Sequence, residues 1–295
     1  MFTGIGPEHE LRGLAVPVQP RPFRLTVGTR PTQRWLLPGP DGPAQLAAKR
    51  RLLDDHPDEV LAVLPHAEAA VTLLARMVAD AVTPAAGGPR GQGRRTGEGV
   101  ERGGAVALLR ATALTVQEDL TLMQRDDAGT WRLVAGCVCF PSFWRLGDKI
   151  GQDLDAIHTP VPHYSDRLAA ASRMAFDRIA TGGGQGIWER FNWTLTADDD
   201  LFHPDPKPPV QVSPDEVPRR VWLRTERQSM RAMADSRTVV FGIRTFLTSL
   251  GELTPVEREA LACSLPGVSP ELTRYRAALG YRDAVQEWLR RREPV

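Results

Sequence analysis

Cysteine is scarce, and what there is does not pair. Three Cys in 295 residues, Cys137, Cys139 and Cys263, cannot complete a disulfide framework, so a reducing cytoplasm is the expected setting. No CxxC spacing occurs, which argues against a zinc ribbon or an iron–sulfur cluster held by this chain. Lysine is nearly missing: only Lys49, Lys149 and Lys207 occur among 37 basic residues, the bias of a GC-rich genome, from which no function follows. Net charge is close to absent, at +1, so neither nucleic acid nor a membrane surface is an expected partner. No run approaches the ~18 apolar residues of a membrane helix. The N-terminal MFTGIGPEHELRG lacks the basic and apolar regions of a secretory signal. The Gly-rich stretches have neither the Gly-Lys-Ser/Thr ending of a phosphate loop nor the strand-to-helix setting of a dinucleotide loop.

What is present is an ordinary globular composition, 42% hydrophobic and 25% charged, in a chain long enough to bury roughly 75% of its unfolded surface without staples. Residues 1–42 are rich in Pro and Gly, with one apolar piece at 23–27; they are predicted to form an extended arm anchored by Trp35 and Leu36. Residues 43–295 are predicted to form a single domain. Helical spacing appears at 43–53 and 66–82, followed by a Gly/Arg/Pro-rich surface loop at 83–104. β-type residues dominate 105–114, 120–125, 131–140, 188–197, 221–227 and 239–247, with one helix inserted at 167–180 and ending at Gly182-Gly183-Gly184. Three helices close the chain at 254–263, 269–278 and 281–292, the first two with Thr254 and Ser269 as N-caps ahead of proline. About six strands grouped together imply an antiparallel sheet in an α+β fold.

Cys137 and Cys139 are two apart in a strand and share a face. They read as two small buried hydrophobes, with a thiolate ligand pair as the alternative. Asp198-Asp199-Asp200 reads as a solvated strand end or, alternatively, a cation site. In the strand at 221–227, Arg224 and Glu226 lie on one side together with Gln228 just beyond it.

The chemistry-bearing stretch is 141–164, PSFWRLGDKIGQDLDAIHTPVPHY. His158 precedes Thr159-Pro160-Val161-Pro162, and the prolines predict a stiff, non-helical backbone around the imidazole. Such a histidine suits a ligand or a base; taken alone, the stretch is better accounted for by an inert, hydrogen-bonded histidine in a Pro-rich turn.

PSFW, DKIG (residues 148–151), IHTPVP (157–162), RFNW (190–193), LRTERQSM (223–230) and VVFGIRTF (239–246) occur in that order. Together they resemble the haem-dependent oxidative N-demethylase family over most of the chain. The resemblance implies a PAS-like antiparallel sheet with surrounding helices forming a pocket for haem b, and His158 as the proximal iron ligand. It implies oxygen activation and N-dealkylation of a small amine. In that reading Arg224 is the distal donor, with an ion pair to Glu226 as its alternative role, and Glu226 and Gln228 orient it or touch substrate. Lys149, Arg190 and Arg244 are the candidate partners of the haem propionates, and Asn192 belongs to the pocket. Electrons would come from a separate reductase carrying flavin and iron–sulfur centres, with a peroxide shunt as the alternative. The other functional readings are a haem-based gas or redox sensor, and a haem-free module that binds a small molecule.

Overall fold

A computed structural model describes residues 27–83, 104–182, 186–275 and 280–291. Most of the expected arm, the loop at 84–103, Gly183, Gly184 and the ends of the last two predicted helices lie outside the described residues. In chain order the elements begin with β1 (Arg30–Thr32), α1 (Gly42–Asp55), α2 (Pro57–Val60), β2 (Leu61–Val63), α3 (Glu68–Val82), α4 (Gly104–Ala113), β3 (Asp119–Arg125) and β4 (Trp131–Cys137). They continue with α5 (Leu154–His158), α6 (Tyr164–Arg167), α7 (Ala169–Thr181), β5 (Ile187–Thr196), α8 (Val217–Arg220), β6 (Trp222–Ala232) and β7 (Thr238–Ser249). The last are α9 (Pro255–Ser264), α10 (Pro270–Tyr275) and α11 (Arg282–Arg290). No helix among the described residues is long and apolar enough to cross a membrane.

The strands form one seven-stranded sheet in the order β1-β5-β6-β7-β3-β4-β2, every pairing antiparallel, which makes the fold α+β. Its centre is the long β6–β7 pair, running from Trp222↔Ser249 to Ala232↔Val239. Asp235 closes the turn between them by accepting from the Arg237 and Thr238 amides.

The sheet has helices on both faces, and side-chain parity decides which residue meets which layer. On one face Leu120, Leu122 and Val240 pack with Leu53 of α1, Leu74 of α3 and Leu109 of α4. Burial of each such leucine contributes roughly 2 kcal/mol. On the other face Met123, Leu133 and Met230 pack with Leu154 of α5 and Phe176 and Ile179 of α7. A third cluster joins Trp193, Leu195 and Leu223 at the sheet's end to α9, α10 and α11.

Two expectations are corrected. The segment 105–114 is helical, as α4, rather than a strand. Its Ala, Leu and Arg favour a helix, and its buried residues Leu109, Thr112 and Ala113 fall at three- and four-residue spacing. His158 ends a short helix instead of sitting in extended backbone: Asp153 caps α5 by accepting from the Asp155 and Ala156 amides, and the prolines act only after it. Trp35 and Leu36 do anchor the segment before α1, Trp35 buried in the core and Leu36 half-buried against it, with Leu37 buried beside them.

Helix α9 shows how local signals set its boundary. Thr254 and Glu257 form a reciprocal capping box, the Thr254 amide donating to Glu257 Oε2 at 2.8 Å and the Glu257 amide to Thr254 Oγ1 at 3.4 Å. Thr254→Ala is expected to cost about 1 kcal/mol, read as a shift of the urea midpoint at unchanged slope, because the cap lies away from the cavity described next.

Candidate active site

Between the sheet and α5–α7 lies a cavity of about 250 Å³. The sheet supplies its floor through residues of one parity: Arg190, Asn192 and Thr194 of β5, Glu226, Gln228 and Met230 of β6, and Phe241 and Ile243 of β7. Phe143, Trp144 and Lys149 enter from the β4–α5 connection, His158 and Tyr164 from α5 and α6, and Leu272 from α10.

His158 is half-buried on the wall. Its Nδ1 lies 2.8 Å from the Leu154 carbonyl oxygen. A carbonyl only accepts, so Nδ1 carries the hydrogen and the lone pair resides on Nε2. Nε2 has no hydrogen bond among the described residues. Burial lowers the imidazole pKa to about 4, with Lys149 and Arg190 adding to the effect and the Leu154 bond opposing it. The ring is therefore neutral over the ordinary pH range.

Lys149 is placed by the DKIG turn, which Gly151 completes at φ +81°, where a side chain would be strained. The Gly151 amide donates to Leu133 O at 2.7 Å and locks the turn to β4. Lys149 Nζ donates to Ile157 O at 2.9 Å and sits 4.8 Å from the centre of the Trp144 ring. Burial lowers its pKa to about 8. Arg190 is also depressed by burial, with Glu226 opposing, and its Nε lacks a hydrogen-bond partner. Glu226 accepts from Gln228 Nε2 at 3.0 Å. Two cations, one carboxylate and a neutral imidazole thus share the chamber with the neutral polar groups of Asn192, Thr194 and Gln228, against apolar walls such as Phe176, Phe241 and Ile243.

Two expected site residues lie elsewhere. Arg224 is fully buried but does not line the cavity: it donates to Phe140 O at 2.7 Å, Pro141 O at 3.4 Å and Leu201 O at 3.1 Å. These loop carbonyls demand a donor with several N–H groups and draw the guanidinium beyond the chamber's end. The alternative reading of Arg224 is visible as a loose ion pair to Glu226 at 3.8 Å. Arg244 is on the opposite face, cross-strand from Arg227, where it binds Asp41, Gln45 and Leu37 O. It tethers the segment before α1 instead of reaching the cavity.

The sequence reading passed over Phe143, Trp144, Tyr164, Ser172 and Tyr275 as cavity residues. Only proximity to His158 singled out Tyr164. Other candidates resolve simply. Cys137 and Cys139 are fully buried with sulfurs 3.9 Å apart, and their contact together with burial pushes the Cys139 thiol well up. Lys207 pairs with two members of the acidic run, donating to Asp198 and Asp200 at 2.8 and 2.9 Å. His203 is buried, its Nε2 on Asp200 O at 2.8 Å, and it does not line the cavity.

The chain matches the family described as haem-dependent oxidative N-demethylase, alpha subunit-like, over residues 29–286. All seven strands and His158 fall inside that span. That match spans most of the chain, and the protein belongs to the haem-dependent oxidative N-demethylase alpha-subunit-like family.

Proposed function

We propose that the cavity is a PAS-like pocket for haem b, that His158 is the iron ligand, and that the protein oxidatively dealkylates a small amine. The observation that carries this reading is the Nδ1–H bond to Leu154 O, which leaves the Nε2 lone pair as the ring's only donor to a metal. The chamber's chemistry fits the group. Its walls are apolar and aromatic at Phe143, Phe176, Phe241 and Ile243. Lys149 and Arg190 would be the cations available to pair with haem's two carboxylates, and the Nε of Arg190 has no hydrogen-bond partner among the described residues. Haem, when bound, supplies dioxygen and one-electron chemistry that oxidises a carbon next to an amine nitrogen, whose hydroxylated product falls apart to a smaller amine and an aldehyde.

The chain's own residues bind, orient and exclude water. Glu226 presents the chamber's carboxylate. Gln228 holds one of its oxygens, and the other is 3.8 Å from Arg224 Nε, beyond hydrogen-bond reach. An ammonium group can take that second oxygen, which orients the N-alkyl carbon toward the apolar side. Hydrogen bonds to charged groups are worth about 1.5–3 kcal/mol. Glu226→Gln is therefore expected to weaken amine binding roughly tenfold or more, measured by amine titration of the haem spectrum. Unchanged amine affinity would remove Glu226 from substrate binding.

In this reading a separate reductase supplies the electrons, which a family described by its alpha subunit supports, with peroxide as the alternative oxidant. Titration of the purified protein with haemin, followed in the ferric, reduced and carbon monoxide states, tests the reading. A saturable Soret band at one haem per chain is expected, and its absence overturns the proposal. Release of aldehyde from an N-methylamine, dependent on a supplied reductant, tests the reaction.

A further inference from the structure

Tyr164 lies six residues beyond His158, yet its ring returns to lie flat against the imidazole, with centroids 4.5 Å apart and planes within 9°. Two successive turns accomplish this. The Val161 amide donates to His158 O at 2.8 Å, and the Tyr164 amide donates to Val161 O at 3.1 Å. The residue between them and the ring, His163, is held at φ +63°, an uncommon conformation for a residue with a side chain. Strain of this kind persists where surrounding structure enforces it, often at a functional site. The phenol is itself 4% exposed, packed with Leu168 and Ala169 at the start of α7. It is a fixed wall, not a mobile ring.

A single hydrogen bond at Nδ1 leaves the imidazole free to rock about that bond. A parallel ring against one face removes the remaining freedom. We infer that Tyr164 is a positioning residue for His158: its ring plane, working with the Leu154 carbonyl, sets the plane of the imidazole and therefore the direction of Nε2 in the cavity. This rests on the proposal that His158 holds haem iron, but the orienting contact exists without it. The hydroxyl is buried near Ser172 and Asp155 but makes no hydrogen bond among the described residues, so the stack depends on the ring and phenylalanine serves equally, whereas methionine fills comparable space with no plane to offer.

The test compares wild type, Tyr164→Phe, Tyr164→Met and Tyr164→Leu in the full chain. The first readout is the long-range proton–nitrogen spectrum of the haem-free protein. In wild type and Tyr164→Phe, one tautomer of His158 is expected, with ring protons shifted upfield by the stacked ring. In Tyr164→Met those shifts vanish and a second tautomer appears. The second readout is haem binding: Tyr164→Met is expected to bind about tenfold more weakly, as orienting partners of metal-bound histidines typically do, with a broadened ferric band, and Tyr164→Phe is expected to restore both. Should Tyr164→Met fail to fold, Tyr164→Leu is read in its place. Wild-type ring protons at free-histidine positions would overturn the inference without any variant, as would wild-type tautomer and haem affinity in Tyr164→Met. Absence of haem binding in wild type, with the upfield shifts present, would instead overturn the haem assignment and leave the stack standing.

Discussion

His158→Ala is expected to lose haem binding altogether, with no saturable Soret band where wild type shows one. Removing a mere orienting partner of a metal-bound histidine costs 10–100-fold in affinity, so removing the ligand should exceed roughly a hundredfold. No other described histidine can substitute. His203 is buried with its Nε2 on Asp200 O, and His163 faces Asp166 at 4.0 Å with its side chain partly in solvent; neither lines the cavity. Added free imidazole should restore a band, because it fits the space the truncation opens. A wild-type spectrum from His158→Ala would sink the assignment. The pH dependence has a definite sign. The folded imidazole titrates at about 4 against an ordinary 6.5. Between those values the unfolded chain holds the proton that the folded one refuses, so stability falls as pH drops from 6.5 toward 4. Above 6.5 the ring is neutral in both states and contributes no pH dependence. Haem binding should likewise hold through neutral pH and fail near pH 4.

Much of the sheet was legible because period-two patterns are local. The run WERFNWTLT alternates visibly, and Arg224, Glu226 and Gln228 do share one face of β6. How far along that face the cavity extends was not legible. Glu226 and Gln228 lie over the chamber while Arg224, two residues earlier, passes beyond its end to the carbonyls of a loop 84 positions away in the chain. Arg244 illustrates a second limit. Its parity within β7 was readable, but which parity faces the cavity depends on the β6–β7 register and on which helices cover each side. Strand β2 is three residues long and exists only by pairing with β4, a non-local cause that leaves no local pattern. The misreading of α4 had a different origin: Ala, Val and Leu in an unbroken run fit either state, and its burial against α3 and the sheet decided the matter. At His158 the prolines were read as governing the residues before them, whereas the Asp153 cap had already started a helix.

Asp119→Ala is expected to be the most destabilising substitution outside the cavity, costing about 3–5 kcal/mol as a buried charge is left unpaired. Asp119 and Lys49 are both fully buried, on β3 and α1, with Asp119 Oδ1 3.6 Å from Lys49 Nζ. Lys49 Nζ also donates to Glu118 O at 2.6 Å and Val116 O at 3.2 Å. Those carbonyls solvate the ammonium but do not neutralise it. Burial pushes the Asp119 carboxyl up while Lys49 and the Phe140 amide pull it back, so the carboxylate depends on its cation as the cation depends on it. Truncation removes more than charge: Asp119 Oδ2 accepts from the Phe140 amide at 2.7 Å, and that donor would be stranded. Asp119→Asn keeps an acceptor for Phe140 and should cost less than Asp119→Ala. The double variant Lys49→Met/Asp119→Asn should recover much of the loss, because it removes the unpaired buried cation while keeping the acceptor for Phe140. The measurement is the urea midpoint of the four proteins, and a double variant no better than Asp119→Ala would show that the pair's attraction is not what matters. The damage should also reach the cavity. Phe140 O holds Arg224, and three residues on, Phe143 lines the chamber at φ +64°. Loosening Phe140 frees the strap that keeps Phe143 in that strained position, so haem binding is expected to weaken in Asp119→Ala at temperatures where it remains folded, and to stay near wild type in Asp119→Asn, which keeps the Phe140 acceptor.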